Sequence, residues 1–342
     1  MSSMHHTAPA GAAPALRSLG PASVYAIGLG CMNLSHAYSA PPPREQAIAL
    51  LQRALDLGIT HFDTAALYGF GANESLIGPV LAPHRSRILL ASKGGMVGVA
   101  GKRVIDGRPE SLKQHCTESL QRLGTDVIDL YYLHRWDKSV PIEDSVGAMA
   151  DLVRAGHIRA IGLSEVSVTT LERAQAVHPI TAVQSEYSPW TRNPELGMLA
   201  ACESKGIAFV AFSPVARGFL TDVTLDPATF EPKDIRRGMP RFQQPHYAAN
   251  LKLLQAFRRI ATDAGCTAAQ LCLAWLLHRS RAILPIVGTT SIAHLEEDVA
   301  AGKLALDAAL MARIESCVNA TTVSGARYNE ASQREIDTEE PA

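Results

Sequence analysis

Several common signatures are missing from this chain of 342 residues, and each absence narrows its class. No stretch of about 18 consecutive apolar residues occurs, so no membrane-spanning helix is expected. Neither charge sign is in excess, with Lys+Arg at 32 and Asp+Glu at 33. No global field therefore draws the protein to nucleic acid or to an anionic membrane, and neither is expected as a partner. The six cysteines (Cys31, Cys116, Cys202, Cys266, Cys272 and Cys317) contain no C-x-x-C pair. Scattered in this way they are expected as free thiols of a reducing compartment rather than as disulfides. None of the twelve histidines forms an H-E-x-x-H or similar pair, so no metal site is expected. The opening MSSMHHTAPAGAAPALRSLG lacks a basic n-region and an apolar h-region. It reads as a disordered tail over residues 1–20 rather than a secretory leader, and a cytoplasmic location follows as the expectation.

What is present is a regular alternation. Apolar runs occur at 27–32 (IGLGCM), 61–64 (HFDT), 88–93 (ILLASK), 128–134 (IDLYYLH), 160–165 (AIGLSE), 182–188 (AVQSEYS), 208–214 (AFVAFSP) and 283–289 (ILPIVGT). Amphipathic segments lie between them, such as 44–58, 109–124 and 141–156, each ending on a glycine suited to a helix C-terminus. Near-continuous apolar strands alternating with helices predict a parallel sheet covered on both faces. Eight such units predict closure into a single (β/α)₈ TIM barrel of the α/β class, here over residues 21–320. The Pro- and Arg-rich stretch 215–250 is too long for a simple connection and reads as a lid or a disordered loop. A polar C-terminal tail, 321–342, is either mobile or folded across the barrel mouth.

Four polar residues stand where apolar runs stop. Asp63 closes THFDT, Lys93 closes ILLASK, His134 closes IDLYYLH, and Tyr68 follows Asp63 in the loop ALYGFG. In a parallel barrel all C-terminal strand ends open on one face, so these groups converge there. A buried Lys93 requires a carboxylate, which Asp63 supplies from the adjacent strand. An ammonium beside Tyr68 is expected to lower the phenol pKa from its usual value of about 10 and make it a proton donor, with His134 holding the substrate oxygen. Taken singly, each residue has a plainer reading: Asp63 as a helix cap, Tyr68 as packing, Lys93 as a strand-tip lysine, His134 as a hydrogen-bonded structural group. Met32, Tyr38, Trp136 and Trp190 read equally as pocket lining or as packing under loops, and the basic run 233–241 as a phosphate clamp or a solvated face.

These residues and their contexts resemble the aldo-keto reductase superfamily, in its bacterial and fungal branch with a GLGCM opening. The likeness runs through GITHFDTAALYGFGANESLIG (58–78), ILLASKGG (88–95), DVIDLYYLHRWD (126–137), IRAIGLSE (158–165), AVQSEYSPW (182–190), FVAFSPVARGFLTD (209–222) and LPIVGTTSIAHLEEDVAA (284–301). The resemblance implies a catalytic tetrad of Asp63, Tyr68, Lys93 and His134, with Tyr68 as general acid. It implies that Ser164, Glu165 and Gln184 meet the nicotinamide carboxamide and that Phe212 stacks on the ring. Ser213, Pro214, Val215, Arg217, Gly218 and Leu220 would wrap the pyrophosphate. Gly288, Thr290 and Ser291, with His294, Glu297 and Asp298, would take the adenosine-ribose end. Glu165 stands where relatives usually carry Asn, and the 2′-phosphate segment offers Thr290, Ser291 and His294 rather than Lys or Arg.

The resemblance thus implies an NAD(P)H-dependent reductase of a small aldehyde or ketone, a monomer by default. NADPH is expected to be preferred by a modest margin, with NADH usable. Two other classes fit parts of the sequence: a nicotinamide-binding regulatory module of the channel β-subunit type, and a Schiff-base aldolase with Lys93 as nucleophile. A carboxylate that keeps Lys93 protonated opposes the aldolase.

Overall fold

Chain order explains the architecture. A computed structural model of the protein describes residues 16–339, His36 and Ser39 excepted. It begins with a hairpin of β1 (Leu16–Leu19) and β2 (Ala22–Tyr25), followed by β3 (Gly28–Gly30), α1 (Arg44–Asp56), β4 (His61–Asp63), α2 (Ala72–Leu81) and β5 (Leu89–Gly94). A second hairpin, β6 (Met96–Val99) and β7 (Lys102–Ile105), precedes α3 (Pro109–Leu123), β8 (Leu130–Leu133), α4 (Ile142–Arg154), β9 (Ile161–Ser164) and α5 (Val168–Val177). Then come β10 (Ile180–Glu186), α6 (Met198–Lys205), β11 (Ala208–Phe212), α7 (His246–Asp263), α8 (Ala268–Arg279) and β12 (Ile283–Val287). The chain ends with α9 (Ile292–Ala300), α10 (Ala308–Cys317) and α11 (Glu330–Arg334).

Strands β3, β4, β5, β8, β9, β10, β11 and β12 close into a parallel barrel, as the alternation predicted. They are short and buried on both faces, which is why they read as unbroken apolar runs rather than alternating ones. Pairing of Asp63 with Ala91 and of Lys93 with Tyr132 sets the heights of the polar strand ends. Inside the barrel, a Cβ on Gly162 would sit 2.3 Å from the Tyr132 ring, so glycine is the residue that admits this aromatic. Helix ends follow local chemistry. Pro109 opens α3 and Gly124 closes it at φ 63°, while Thr267 and Gln270 form a reciprocal capping box on α8. Among the described residues no single helix is long and apolar enough to cross a membrane.

One expectation changes and two open ones are decided. Part of the supposed N-terminal tail is structured: Leu19 and Val24 of the first hairpin pack on Leu89, Leu130, Ala208 and Leu284, covering the N-terminal end of the barrel. An amphipathic hairpin over the open end of a sheet hides apolar side chains that no helix reaches, and the fold therefore starts by residue 16; residues 1–15 lie outside the described residues. The stretch 215–250 is ordered around aromatic packing, with Trp190 stacked on Phe219 at 4.3 Å and Phe242 edge-on to both. The C-terminal tail folds across the barrel mouth, where Asp337 accepts hydrogen bonds from Ser167 and Thr170.

Candidate active site

The C-terminal ends of the barrel strands surround a cavity of about 720 Å³. Asp63, Tyr68 and His134 line it, and Lys93 lies behind them, 1% exposed. Lys93 Nζ donates to Asp63 Oδ1, to the Thr64 carbonyl at 2.9 Å and to Tyr68 Oη at 3.3 Å. Gln184 Nε2 donates to the other Asp63 oxygen at 2.8 Å, so both carboxylate oxygens are satisfied. The His134 ring meets the Tyr68 ring edge-on, with centroids 5.8 Å apart. These four groups therefore do meet.

Local structure holds Tyr68 in place. The chain after β4 stays zipped to β5 through Thr64 N to the Ala91 carbonyl and Ala66 N to the Lys93 carbonyl. Asn73 of α2 accepts from Thr64 Oγ1 and donates to the Cys31 carbonyl and Ser35 Oγ, tying the loops after β3 and β4 together. Tyr68 is consequently presented by a double-braced turn rather than a free loop.

Electrostatics correct one expectation. Burial pushes the Tyr68 phenol up, and the nearby Lys93 only partly offsets it, so the net shift is upward rather than downward. Burial opposes the Lys93 charge too, but Asp63 and then Tyr68 outweigh it and hold the ammonium protonated. Burial, followed by the cations Arg135, Lys93 and Arg103, drives His134 well below the usual imidazole value. The site thus holds a protonated phenol, a fixed ammonium and a neutral imidazole.

The cavity runs from this cluster past Ser164, Gln184, Phe212, Ser213, Pro214, Val215, Arg217 and Gly218 to Gly288, Thr290, His294, Glu297 and Asp298. After β11, Ser213, Ala216 and Arg217 all take positive φ, near 52–58°, curling the backbone into a concave turn of the kind that receives anions. At the far end Ser291 caps α9, whose N-terminal N–H groups and dipole favour negative charge.

Besides Lys93, three residues expected at the cofactor lie outside the cavity wall: Glu165, Leu220 and Ser291. Leu220 is fully buried in the core, and Ser291 spends its hydroxyl on the helix cap. Glu165 is the instructive correction. Its carboxylate accepts from Glu186 N at 2.8 Å and from Arg327 of the tail, and its own carbonyl accepts from Asp337 N. A buried carboxylate demands a cation, and here the tail provides it. Arg217 reaches the cavity but already pairs with Glu186 and donates to Tyr328 Oη at 2.9 Å.

Of the ambiguous aromatics and their neighbours, Met32 and Tyr38 line the cavity, whereas Trp136 donates to the Val140 carbonyl and Trp190 packs under the long loop. The basic run divides, with Lys233 and Arg237 exposed to solvent and Arg236 turned to the cavity. Arg236 lies in the wall paired to Asp234, and Arg237 and Arg241 donate to the Phe230 and Trp190 carbonyls. Sequence reasoning missed Met96 and Arg103 of the second hairpin, Arg135 beside His134, and Tyr328, Asn329, Ser332, Glu335 and Ile336 of the tail. The hairpin had a signal in MVGVAGKRVI, two alternating stretches around Ala-Gly. The tail residues had none, since Tyr328, Asn329, Glu335 and Ile336 are placed by partners 91 to 232 positions away.

Comparison with known proteins agrees with this geometry. The profile of the Aldo/keto reductase family matches residues 26–319. An aldo-keto reductase of Schizosaccharomyces pombe, named for NADP(+), is 43% identical over 320 residues, spanning 91% of this chain and 94% of that protein. The holo form of an aldo-keto reductase from Bacillus halodurans superimposes with a TM-score of 0.77 at 28% identity, covering 92% of this chain and 98% of the other. An aldo-keto reductase from Klebsiella pneumoniae in complex with NADPH gives 0.68 at 26% identity, covering 90% and 95%. The chain belongs to the aldo/keto reductase family and is an oxidoreductase of that family.

Proposed function

We propose that the protein is an NADPH-dependent carbonyl reductase in which Tyr68 protonates the oxygen of an aldehyde or ketone. The observation that carries this reading is Lys93 Nζ, which bridges Asp63 and Tyr68 Oη at the floor of the cavity. The wall also suits the cofactor. The positive-φ turn at 213–217 and the capped start of α9 can receive phosphates, and Ser164 and Gln184 offer polar groups at the reacting end. Bound there, NADPH would supply the hydride that reduces the carbonyl carbon.

The residues then divide the remaining work. A phenol with an elevated pKa stays protonated at neutral pH and gives up its proton only as the substrate oxygen becomes alkoxide-like. Lys93 stabilises the phenolate left behind, and Asp63 fixes Lys93 in position. Neutral His134 offers the carbonyl oxygen a hydrogen bond without competing as an acid. The relative named for NADP(+) and the neighbour solved with NADPH support the choice of cofactor, as do the hydroxyls of Thr289 and Thr290 near the expected 2′-phosphate.

The direct test is spectrophotometric oxidation of NADPH and of NADH against a panel of aldehydes and ketones. Turnover with NADPH, at a higher kcat/KM than with NADH, is expected. Binding of NADPH with no turnover on any carbonyl would overturn the proposal.

A further inference from the structure

The cations around the reacting end are not equally neutralised. Lys93 is paired with Asp63, and Arg103, whose guanidinium reaches in from β7, is paired with Glu335 of the tail at 2.6 Å. Farther along the wall Arg217 and Arg236 have Glu186 and Asp234. Arg135 is different. Its Nη1 donates to the His134 carbonyl at 2.7 Å and to Ser164 Oγ at 3.1 Å, both neutral acceptors. Among the described residues no carboxylate pairs with it. It is only partly buried and follows His134 in the chain, in the wall of the cavity that Tyr68 also lines. Its charge is felt at the reacting centre, since Arg135 follows burial as a cause of the depressed His134 pKa.

A guanidinium carries five N–H donors in a planar fork, and only one nitrogen here is accounted for by a protein acceptor. The same wall carries the apolar side chains of Met32, Leu67, Met96 and Ile336. A lone, partly desolvated cation in such a wall favours a ligand that brings the missing negative charge.

We infer that Arg135 is a specificity residue, and that the preferred substrates are carbonyl compounds carrying a carboxylate or similar anionic group close to the carbonyl. This rests on the carbonyl-reductase reading and refines it. The anion would pair with Arg135 while the carbonyl oxygen faces Tyr68 and His134.

The test compares 2-, 3- and 4-carboxybenzaldehyde with their methyl esters, using NADPH and the full chain. Each pair shares the reacting aldehyde and differs in charge. At least one acid should exceed its ester in kcat/KM by on the order of tenfold, as a charge-assisted hydrogen bond predicts, and the ratio should fall with added salt. Arg135→Gln should collapse that ratio toward one, whatever common factor it takes from both substrates, and Arg135→Lys should retain part of it. An acid-to-ester ratio of one or less for all three isomers in the wild type would overturn the inference. So would an unchanged ratio in Arg135→Gln, which would assign Arg135 to holding Ser164 or the cofactor. Reduction of the neutral esters by the wild type keeps the parent reading intact in either case. Failure of every aldehyde, charged or neutral, would sink that reading instead.

Discussion

Two buried charge networks stand side by side at the mouth of this barrel, and they are built in opposite ways. The first joins Lys93, Asp63 and Tyr68 through residues 25 and 30 positions apart, all on or just after adjacent strands. The second joins Glu165 to Arg327, Glu186 to Arg217, and Arg217 to Tyr328, across separations of 162, 31 and 111 positions. Both obey the same rule, that a buried charge is paired. The first is closed within the barrel and aimed at the cavity. The second ties the cofactor-side loop and two strand ends to the C-terminal tail. Burial works against the Glu186 carboxylate, but Arg217, Arg327 and Arg241 together hold its pKa below the usual range. On the proposed mechanism, chemistry falls to the local network and assembly of the mouth to the long-range one.

That division is open to experiment, and the largest effect should come from the local network. Tyr68→Phe removes only the proton donor, so reduction should fall on the order of 10²–10⁴-fold while NADPH affinity stays within a few-fold. Steady-state turnover and fluorescence titration with NADPH separate the two. A variant keeping more than about a tenth of wild-type turnover would deny Tyr68 its role.

Lys93→Met should come next. It leaves Asp63 without its cation and removes the largest influence that pulls the phenol pKa down against burial, leaving only the weaker one of Arg135. Turnover should drop steeply. The alkaline limb of the kcat profile of any residual activity, where the phenol loses its proton, should move to higher pH. An unmoved limb would show that Lys93 does not tune Tyr68.

The contrast also explains what could be read in the sequence. Asp63, Lys93 and His134 end apolar runs, and once eight such runs imply a closed parallel barrel their convergence follows from topology alone. Glu165 also ends a run, and the resemblance set it beside the nicotinamide carboxamide. Its partner Arg327 lies in a polar tail with no periodicity, so nothing local announced that the carboxylate was already engaged. The phenol shift was misjudged for a related reason: proximity of Lys93 is legible from strand register, whereas the depth of burial that outweighs it is set by loops and the tail. The β1–β2 hairpin escaped notice because four-residue strands beside a Pro- and Ala-rich leader give too little pattern.

The long-range network should respond in stability more than in chemistry. Arg327→Gln strands the Glu165 carboxylate in a buried site, and breaking such a pair costs about 3–5 kcal/mol. Thermal unfolding should shift down by several degrees, and limited proteolysis should cut the tail near residue 325. The double variant Arg327→Gln with Glu165→Gln should recover part of the loss, because no unpaired charge remains. Equal destabilisation in the single and double variants would mean that the tail is held by packing rather than by the ion pair.

The smallest effect concerns a carboxylate that belongs to neither network. Asp298, on α9 at the far end of the cavity, has no cation partner among the described residues. Burial and then Glu297 raise its pKa from 3.8 to about 7. The native protein therefore retains a proton that the unfolded chain releases above about pH 4, and native stability from this group is fullest at low pH and declines as pH rises through 7. Asp298→Asn removes the titration without changing the shape of the side chain. Differential scanning fluorimetry should show little difference between variant and wild type near pH 4, and a variant Tm higher by a few degrees at pH 8. The gap should open between about pH 4 and pH 7, as pH passes from the unfolded to the native pKa, and stay constant above that. A gap independent of pH would mean that Asp298 is ionised throughout, held by a partner at the cofactor end, and would place it with the paired carboxylates after all.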